Sequence, residues 1–454
     1  LQKPRNNMTY PIIGKILETM LLAFILFLNF FAYNGFEINL FSKRPANFYL
    51  GGIQVNEPDQ QTWVKTIEKL GMNTMAVSIE TMQWEWDGDS LFSINQDSSI
   101  IAQIDAAKTE ELRVVAVARL RLDQTNPRNK HLWHGFIFPQ TIENVDGWFL
   151  EYGALLKKWA RLCEEKGVDV FAIGSELNMM AAVDSITVMP GLLSYYLTEW
   201  KLRQAAEELQ NLTHPSVADT TQPDLVEDLT ARADWAKQVS FYSSENPIFE
   251  MNRRRRYIQE KWTTLIAEVR QIYHGKLTYA ANFDNYHKTS LWSALDIIGI
   301  NAYFPLRDDI NQKQSYELEA VFTSKWQNIL ADIHAFRKNR KLENKPVLFT
   351  ELGYTIHKYS SLKPWQSKGI TVVNSDQGRQ ALRIEEQPVD YLERAMVIRA
   401  LRNAYDSGNF SLPNGILYWK LSTLNYHEHS EPFVMHLSLQ SRDPGLKELL
   451  RFLR

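Results

Sequence analysis

Two glutamates stand where an apolar run gives way to polar residues, in VFAIGSEL at 170–177 and PVLFTELGY at 346–354. A carboxylate placed directly after a buried run is unfavourable unless it is hydrogen-bonded or used. Alone, Glu176 or Glu351 reads equally well as a cap or an ion-pair partner. Together they suit glycoside hydrolysis, in which one carboxyl protonates the leaving oxygen and the other attacks the anomeric carbon or activates water. Other polar and aromatic residues recur at the same kind of position. Arg119 and Arg121 end a third apolar run, Asn282 a fifth, Tyr303 follows a sixth and Trp419 an eighth. Trp133 and Trp84 lie just beyond others, and aromatic rings offer flat faces for the C–H side of a pyranose. Asn282, Asn178 and Glu80 are candidates to bind sugar hydroxyls, and Arg119 or Arg121 to keep Glu351 ionised. No cofactor or metal is expected: there is one cysteine, and the His427–His429 pair is too isolated for a ligand set.

The elements that must carry these residues alternate. Short apolar runs begin near 48, 74, 113, 170, 276, 297, 346 and 415. Most begin just after Gly, Asn or Pro, as strands buried on both faces do. Segments of helical spacing lie between them at 60–70, 98–110, 144–166, 257–273, 316–340 and 387–406, and a closing helix is expected at 444–454. Eight such units predict an α/β fold, a (β/α)8 barrel over 48–454. A doubly wound open sheet competes, but no GxGxxG follows the first run. In a barrel the strand ends converge on one mouth, so Glu176 and Glu351 would face each other across it. The unit after the fourth strand is oversized, and a helical insertion is expected over 178–256, including LSYYLTEWKLRQAAEEL and four consecutive arginines. It reads equally as a lid over the site or as a hairpin packed on the barrel's flank.

Composition narrows the class further. The 454 residues are 44% hydrophobic and 12% aromatic, with net charge −3 and a single cysteine, Cys163. This excludes a disordered chain, a coiled coil, a collagen and a disulfide framework. Near-neutral charge argues against nucleic acid as the partner. The segment TMLLAFILFLNFFAY at 19–33 follows Lys3, Arg5 and Lys15, the layout of an export signal. It is marginal for a hydrocarbon core of ~30 Å. With no small-x-small site after it, residues 1–47 are expected to be an uncleaved signal anchor and stalk, giving a membrane-attached, extracytoplasmic catalytic domain. Cleavage would make the protein secreted, and a buried core helix is the remaining alternative.

The stretches 148–177, 262–283, 295–306, 347–354 and 415–420, taken in order, resemble glycoside hydrolase family 113, the β-mannanase-like members of a large clan of retaining glycosidases. The resemblance implies Glu176 as general acid/base and Glu351 as nucleophile. It further implies that Tyr303 hydrogen-bonds the nucleophile and that Trp419 lies beneath the sugar being cleaved. Ser175 stands where most of the clan has Asn, which favours this family over its relatives. The segment at 426–436 and the long insertion depart from the family pattern and leave the sugar open. The roles require Glu351 ionised and Glu176 protonated in a less polar setting, and retention requires carboxyls ~5–5.5 Å apart. The expected partner is an oligo- or polysaccharide. The rival readings are a catalytically silent, membrane-anchored glycan-binding barrel and a retaining glycosidase of another β-glycan or exopolysaccharide.

Overall fold

The computed structural model describes residues 48–182 and 247–453, apart from short stretches at 56, 95, 127–128, 130–132, 140–141, 309–314, 368–369, 375–379, 385–387 and 408–412. The anchor and stalk read at 1–47, and residues 183–246 of the insertion, lie outside the described residues. Among the described residues no helix is long and apolar enough to cross a membrane.

In chain order the elements begin β1 (Tyr49–Gln54), α1 (Gln60–Lys69), β2 (Thr74–Gln83), β3 (Leu91–Ser93), α2 (Asp97–Thr109), β4 (Arg113–Leu122), α3 (Ile142–Glu165), β5 (Val170–Ser175), α4 (Asn178–Ala181) and α5 (Pro247–Arg270). They continue with β6 (Lys276–Asn282), β7 (Ile298–Asn301), α6 (Ser315–Asn339), β8 (Val347–Leu352), β9 (Ile370–Asn374), β10 (Gln380–Ile384), α7 (Tyr391–Asp406), β11 (Gly415–Ser422), α8 (His427–Ser430), β12 (Met435–His436) and α9 (Gly445–Leu450). Strands β1, β2, β4, β5, β6, β7, β8 and β11 pair in that order, all parallel, and the β1–β11 pairing closes the ring. The eight apolar runs are therefore the eight staves of a (β/α)8 barrel.

Several details differ from the periodicity reading. The helix after the fourth stave starts at Pro247 rather than 257, so the four arginines at 253–256 belong to its first turns. Between β6 and β7 the connection is a short helical turn at Leu291–Ala294, as the short, weak link at 288–295 implies. The hairpin β9–β10, the strand β3 antiparallel to β2, and β12 beside β11 are additions to the eight runs read as strands.

Strand alternation sorts the side chains into two cores. Tyr49, Ile53, Ala76, Val115, Val117, Val170, Ala172, Ala280, Leu348 and Leu417 form one cluster, drawn from alternate positions and filling the barrel. Their neighbours in sequence, such as Val114, Ala116, Phe171, Leu277 and Ile416, face outward onto the helices in a second, larger cluster. On α1, Trp63, Val64 and Ile67 make the inward stripe, and the indole of Trp63 donates to the Leu421 carbonyl at 3.1 Å. Asp59 caps this helix by accepting from the Thr62 amide at 3.0 Å. Gly71 and Gly167 end α1 and α3 with φ of +80° and +63°, a conformation that a side chain disfavours.

The first and last staves are fastened at the barrel mouth. The Glu57 carboxylate, just past β1, accepts from the Ser422 hydroxyl at 2.5 Å, the Thr423 amide at 2.9 Å and the Thr423 hydroxyl at 2.6 Å. His427 Nδ1 lies 2.7 Å from the same Ser422 hydroxyl.

Candidate active site

The inward alternation continues past the apolar layers and turns polar at the C-terminal ends of the strands. Ala76 leads to Glu80, Val117 to Arg119 and Arg121, Ala280 to Asn282, and Leu417 to Trp419. Plain period-two geometry thus delivers five of the candidate residues to one mouth.

The two glutamates need more than alternation. In β8, Phe349 pairs with Ile300 and Glu351 with the very next residue, Asn301, so Thr350 is an extra residue in the strand. In β5, Ala172 pairs with Thr278 and Ser175 with Ala280, which inserts one residue there too. Such bulges re-aim the following side chains. Immediately after the β5 irregularity Glu176 takes φ +53°, and its amide donates to the Ala280 carbonyl at 2.8 Å. A non-glycine residue in this region is strained, and such strain concentrates at working sites.

These residues line a cavity of about 1190 Å³ at the mouth, together with Glu80, Arg119, Arg121, Trp133, His134, Asn282, Tyr303 and Trp419. Glu351 is 4% exposed. Arg119 binds one of its oxygens through a close ion pair, and the Tyr303 hydroxyl donates to the other at 2.5 Å. Arg119 also lies over the Trp419 ring, 4.7 Å from its centroid, and donates to Ser175 Oγ at 3.3 Å. Gly353 is required beside this corner, because a Cβ there would stand 2.6 Å from the Tyr303 ring. Arg121, the other cation considered for Glu351, instead pairs with Glu80 at 3.0 Å. Of the remaining candidates, Asn282 reaches the cleft and Trp133 forms part of its wall. Asn178 does not: it is 1% exposed at the start of α4, behind the lining. Trp84 is 46% exposed and also lies outside the cleft lining.

Three residues at the cleft had escaped the sequence reading. His134, on the turn His134–Phe136, places Nε2 3.2 Å from Glu176 Oε2. Asn301 donates through Nδ2 to Glu176 Oε1 at 2.9 Å, and its Oδ1 accepts from the Thr350 hydroxyl at 2.8 Å. Asp284, two residues beyond Asn282, opens on the cleft. The position of Asn301, last in β7, was the one signal available in advance.

The electrostatics differ from the expected assignment. Burial pushes the Glu351 carboxyl above its ordinary value, the Glu176 charge adds to this, and Arg119 and Tyr303 offset only part of it. Burial also acts to raise Glu176, but the hydrogen bond and charge of His134, with Asn301 and Arg119, outweigh it and hold this carboxyl low. The two carboxyls thus stand in unlike surroundings, Glu351 raised by its enclosure and Glu176 held low by the imidazole beside it. Burial and the Glu351 charge drive the Tyr303 hydroxyl well up, so it stays a neutral donor. Asp284 is pushed up to about 6 by the enclosing walls and by the charge of Glu176, although its carboxyl reaches solvent within the cleft. Among the described residues no cluster of His, Cys, Asp and Glu could hold a metal ion.

The sequence profile of Glycoside Hydrolase Family 113 matches residues 236–384, a span that takes in β6, β7 and β8 with Asn282, Tyr303 and Glu351. No curated protein matches the chain. Among solved structures, a complex of a family 113 β-1,4-mannanase is 16% identical, with a TM-score of 0.55 over 90% of this chain and 98% of that one. The family 113 β-mannanase of Alicyclobacillus acidocaldarius, in complex with ManMIm, is 14% identical, with a TM-score of 0.56 over 91% and 99% of the two chains. At these identities the likeness is one of fold. The profile match over 236–384, on a barrel of this fold, bears out the resemblance to glycoside hydrolase family 113 that the strand-end motifs carry.

Proposed function

We propose that this protein is a retaining β-glycoside hydrolase of the β-mannanase kind, with Glu351 as nucleophile and Glu176 as general acid/base. The observation that carries the reading is the pairing of Arg119 and Tyr303 on the two oxygens of Glu351, inside a cleft that also holds Glu176. Both partners fix the carboxylate's orientation, and both favour its anionic form. Trp419, held under Arg119, offers a floor for the sugar ring.

In the first step Glu351 attacks the anomeric carbon while Glu176 gives its proton to the departing oxygen. In the second, Glu176 takes a proton from water, the water oxygen bonds to the anomeric carbon, and Glu351 leaves. The chemistry needs a proton on Glu176 and a charge on Glu351 at the first step, so sugar binding must favour that state. A sugar that fills the cleft and displaces water strengthens the Arg119 contact with Glu351 in that direction.

The test is a panel of β-1,4-manno-oligosaccharides, aryl β-glycosides and other β-glycans, with Glu351→Ala as control. Hydrolysis with a first-formed β-anomeric product, seen by proton NMR, is expected. Inversion would overturn the retaining mechanism. No turnover on any β-glycan would favour a silent glycan-binding barrel. The proposal extends to an exported domain tethered through residues 19–33. Membrane fractionation of the full chain, compared with a variant lacking residues 1–47, tests that part.

A further inference from the structure

The two oxygens of Glu176 have unlike neighbours. Oε1 accepts from Asn301 Nδ2 at 2.9 Å. In this arrangement the amide oxygen accepts from the Thr350 hydroxyl at 2.8 Å, and Nδ2 also donates to Ser175 Oγ at 3.3 Å. With the amide so placed Oε1 acts as an acceptor, and a carboxylic proton sits on Oε2. The neighbour of Oε2 is His134 Nε2, at 3.2 Å. The other charged or titratable groups facing this corner are Arg119, Tyr303, Asp284 and Tyr279, whose buried hydroxyl is driven well up and stays neutral. Arg119 and Tyr303 bind Glu351, and Asp284 acts on Glu176 through space.

The turn that carries His134 is itself fixed. The Phe136 amide donates to the Trp133 carbonyl at 2.9 Å, and Phe136 is 2% exposed. A Cβ at Gly135 would stand 2.4 Å from the Trp133 ring, so glycine lets the indole fold back beside the imidazole. The His134 side chain remains 24% exposed, enough to exchange protons with solvent.

We infer that His134 holds the catalytic proton of Glu176, passing it between Nε2 and Oε2, so that the imidazole–carboxyl pair is the working acid/base. The inference rests on the reading of Glu176 as acid/base. Imidazolium beside carboxylate and imidazole beside carboxylic acid contain the same protons, so one becomes the other by a single transfer along the contact. The acid form then protonates the glycosidic oxygen from Oε2 as the bond to the anomeric carbon breaks. In the second step the proton taken from water by Oε2 can pass to Nε2, which restores the starting pair. His134 is a positioning and proton-holding residue and need not touch the sugar. The coupling also means that the pair titrates as a unit.

The experiment is a carboxyl-carbon NMR titration of the full chain, with the Glu176 signal assigned by its loss in Glu176→Gln. In His134→Ala the Glu176 midpoint is expected to rise by about one pH unit or more, since its cationic partner is gone. An unmoved midpoint overturns the inference. A second variant, His134→Gln, can still hydrogen-bond but cannot carry the proton. On manno-oligosaccharides its kcat is expected to fall about tenfold or more, with KM changed by less than about twofold and the basic limb of the pH profile displaced. Wild-type kcat and an unmoved profile in His134→Gln would also overturn it. If the wild type hydrolyses no β-glycan, the enzymatic reading fails, while the NMR titration still decides whether the proton is shared.

Discussion

The two ends of β5 and β8 present the same side chain in different company. At β8, Glu351 is gripped by a guanidinium and a phenol, neither of which gives up its proton near neutral pH. At β5, Glu176 meets an amide that cannot ionise and an imidazole that can. One corner is a fixed charge environment; the other can change its charge during a turnover. A nucleophile needs constancy, and an acid that later becomes a base needs a neighbour that changes with it. The asymmetry is in keeping with the roles proposed for the two residues.

Glu351→Ala tests the fixed corner with the largest expected effect, a loss of kcat of about 10⁴-fold or more, because no covalent intermediate can form. Added azide should then give a glycosyl azide of inverted configuration. Glu176→Ala should lower kcat by about 10²–10⁴-fold on substrates with poor leaving groups and far less on dinitrophenyl glycosides, with azide giving the retained product. Exchange of these two azide outcomes would reverse the assignment. Tyr303→Phe removes one of the two donors to Glu351 and is expected to reduce kcat/KM about 10–100-fold, the value of a hydrogen bond to a charged group. Because Glu351 must be ionised to attack, and loss of this donor raises its pKa further, the acidic limb of the pH profile should move to higher pH. A limb that stays in place or moves down would show that the phenol does not favour the carboxylate.

The smallest effect concerns stability. Asp284 titrates at about 6 in the folded protein against an ordinary 3.8, so folding is disfavoured progressively as pH rises between those values. Asp284→Asn should raise Tm at pH 8 and leave it nearly unchanged at pH 4. A gain of equal size at both would mean that charge is not the cause.

What could be read in advance follows the same division. Residues at plain inward positions, such as Arg119, Asn282 and Trp419, were legible because strand alternation alone places them. The aim of Glu176 and Glu351 depends on an inserted residue in each strand, which no periodicity reveals, so their meeting could be inferred only from strand ends and family pattern. His134 lay beyond reach, since it comes from a turn after β4 whose course is set by the packing of Trp133 and Phe136. Asn178 was misplaced for a related reason: it follows Glu176 by two residues, but the chain turns into α4 and buries its amide. The hairpin β9–β10 holds apolar residues in ITVVN and QALRI, but it lies outside the alternation of staves and helices that guided the reading.

The clasp between Glu57 and the Ser422–Thr423 segment joins the first stave to the last, more than 350 positions apart in the chain. Closing so wide a loop is slow, and none of its reward is available until β11 exists. Trp419 rides on that same final strand. During synthesis the growing chain therefore lacks both the seam of the barrel and the floor of the cleft until nearly all of it has emerged. The barrel and its cleft are thus completed together, in one late event.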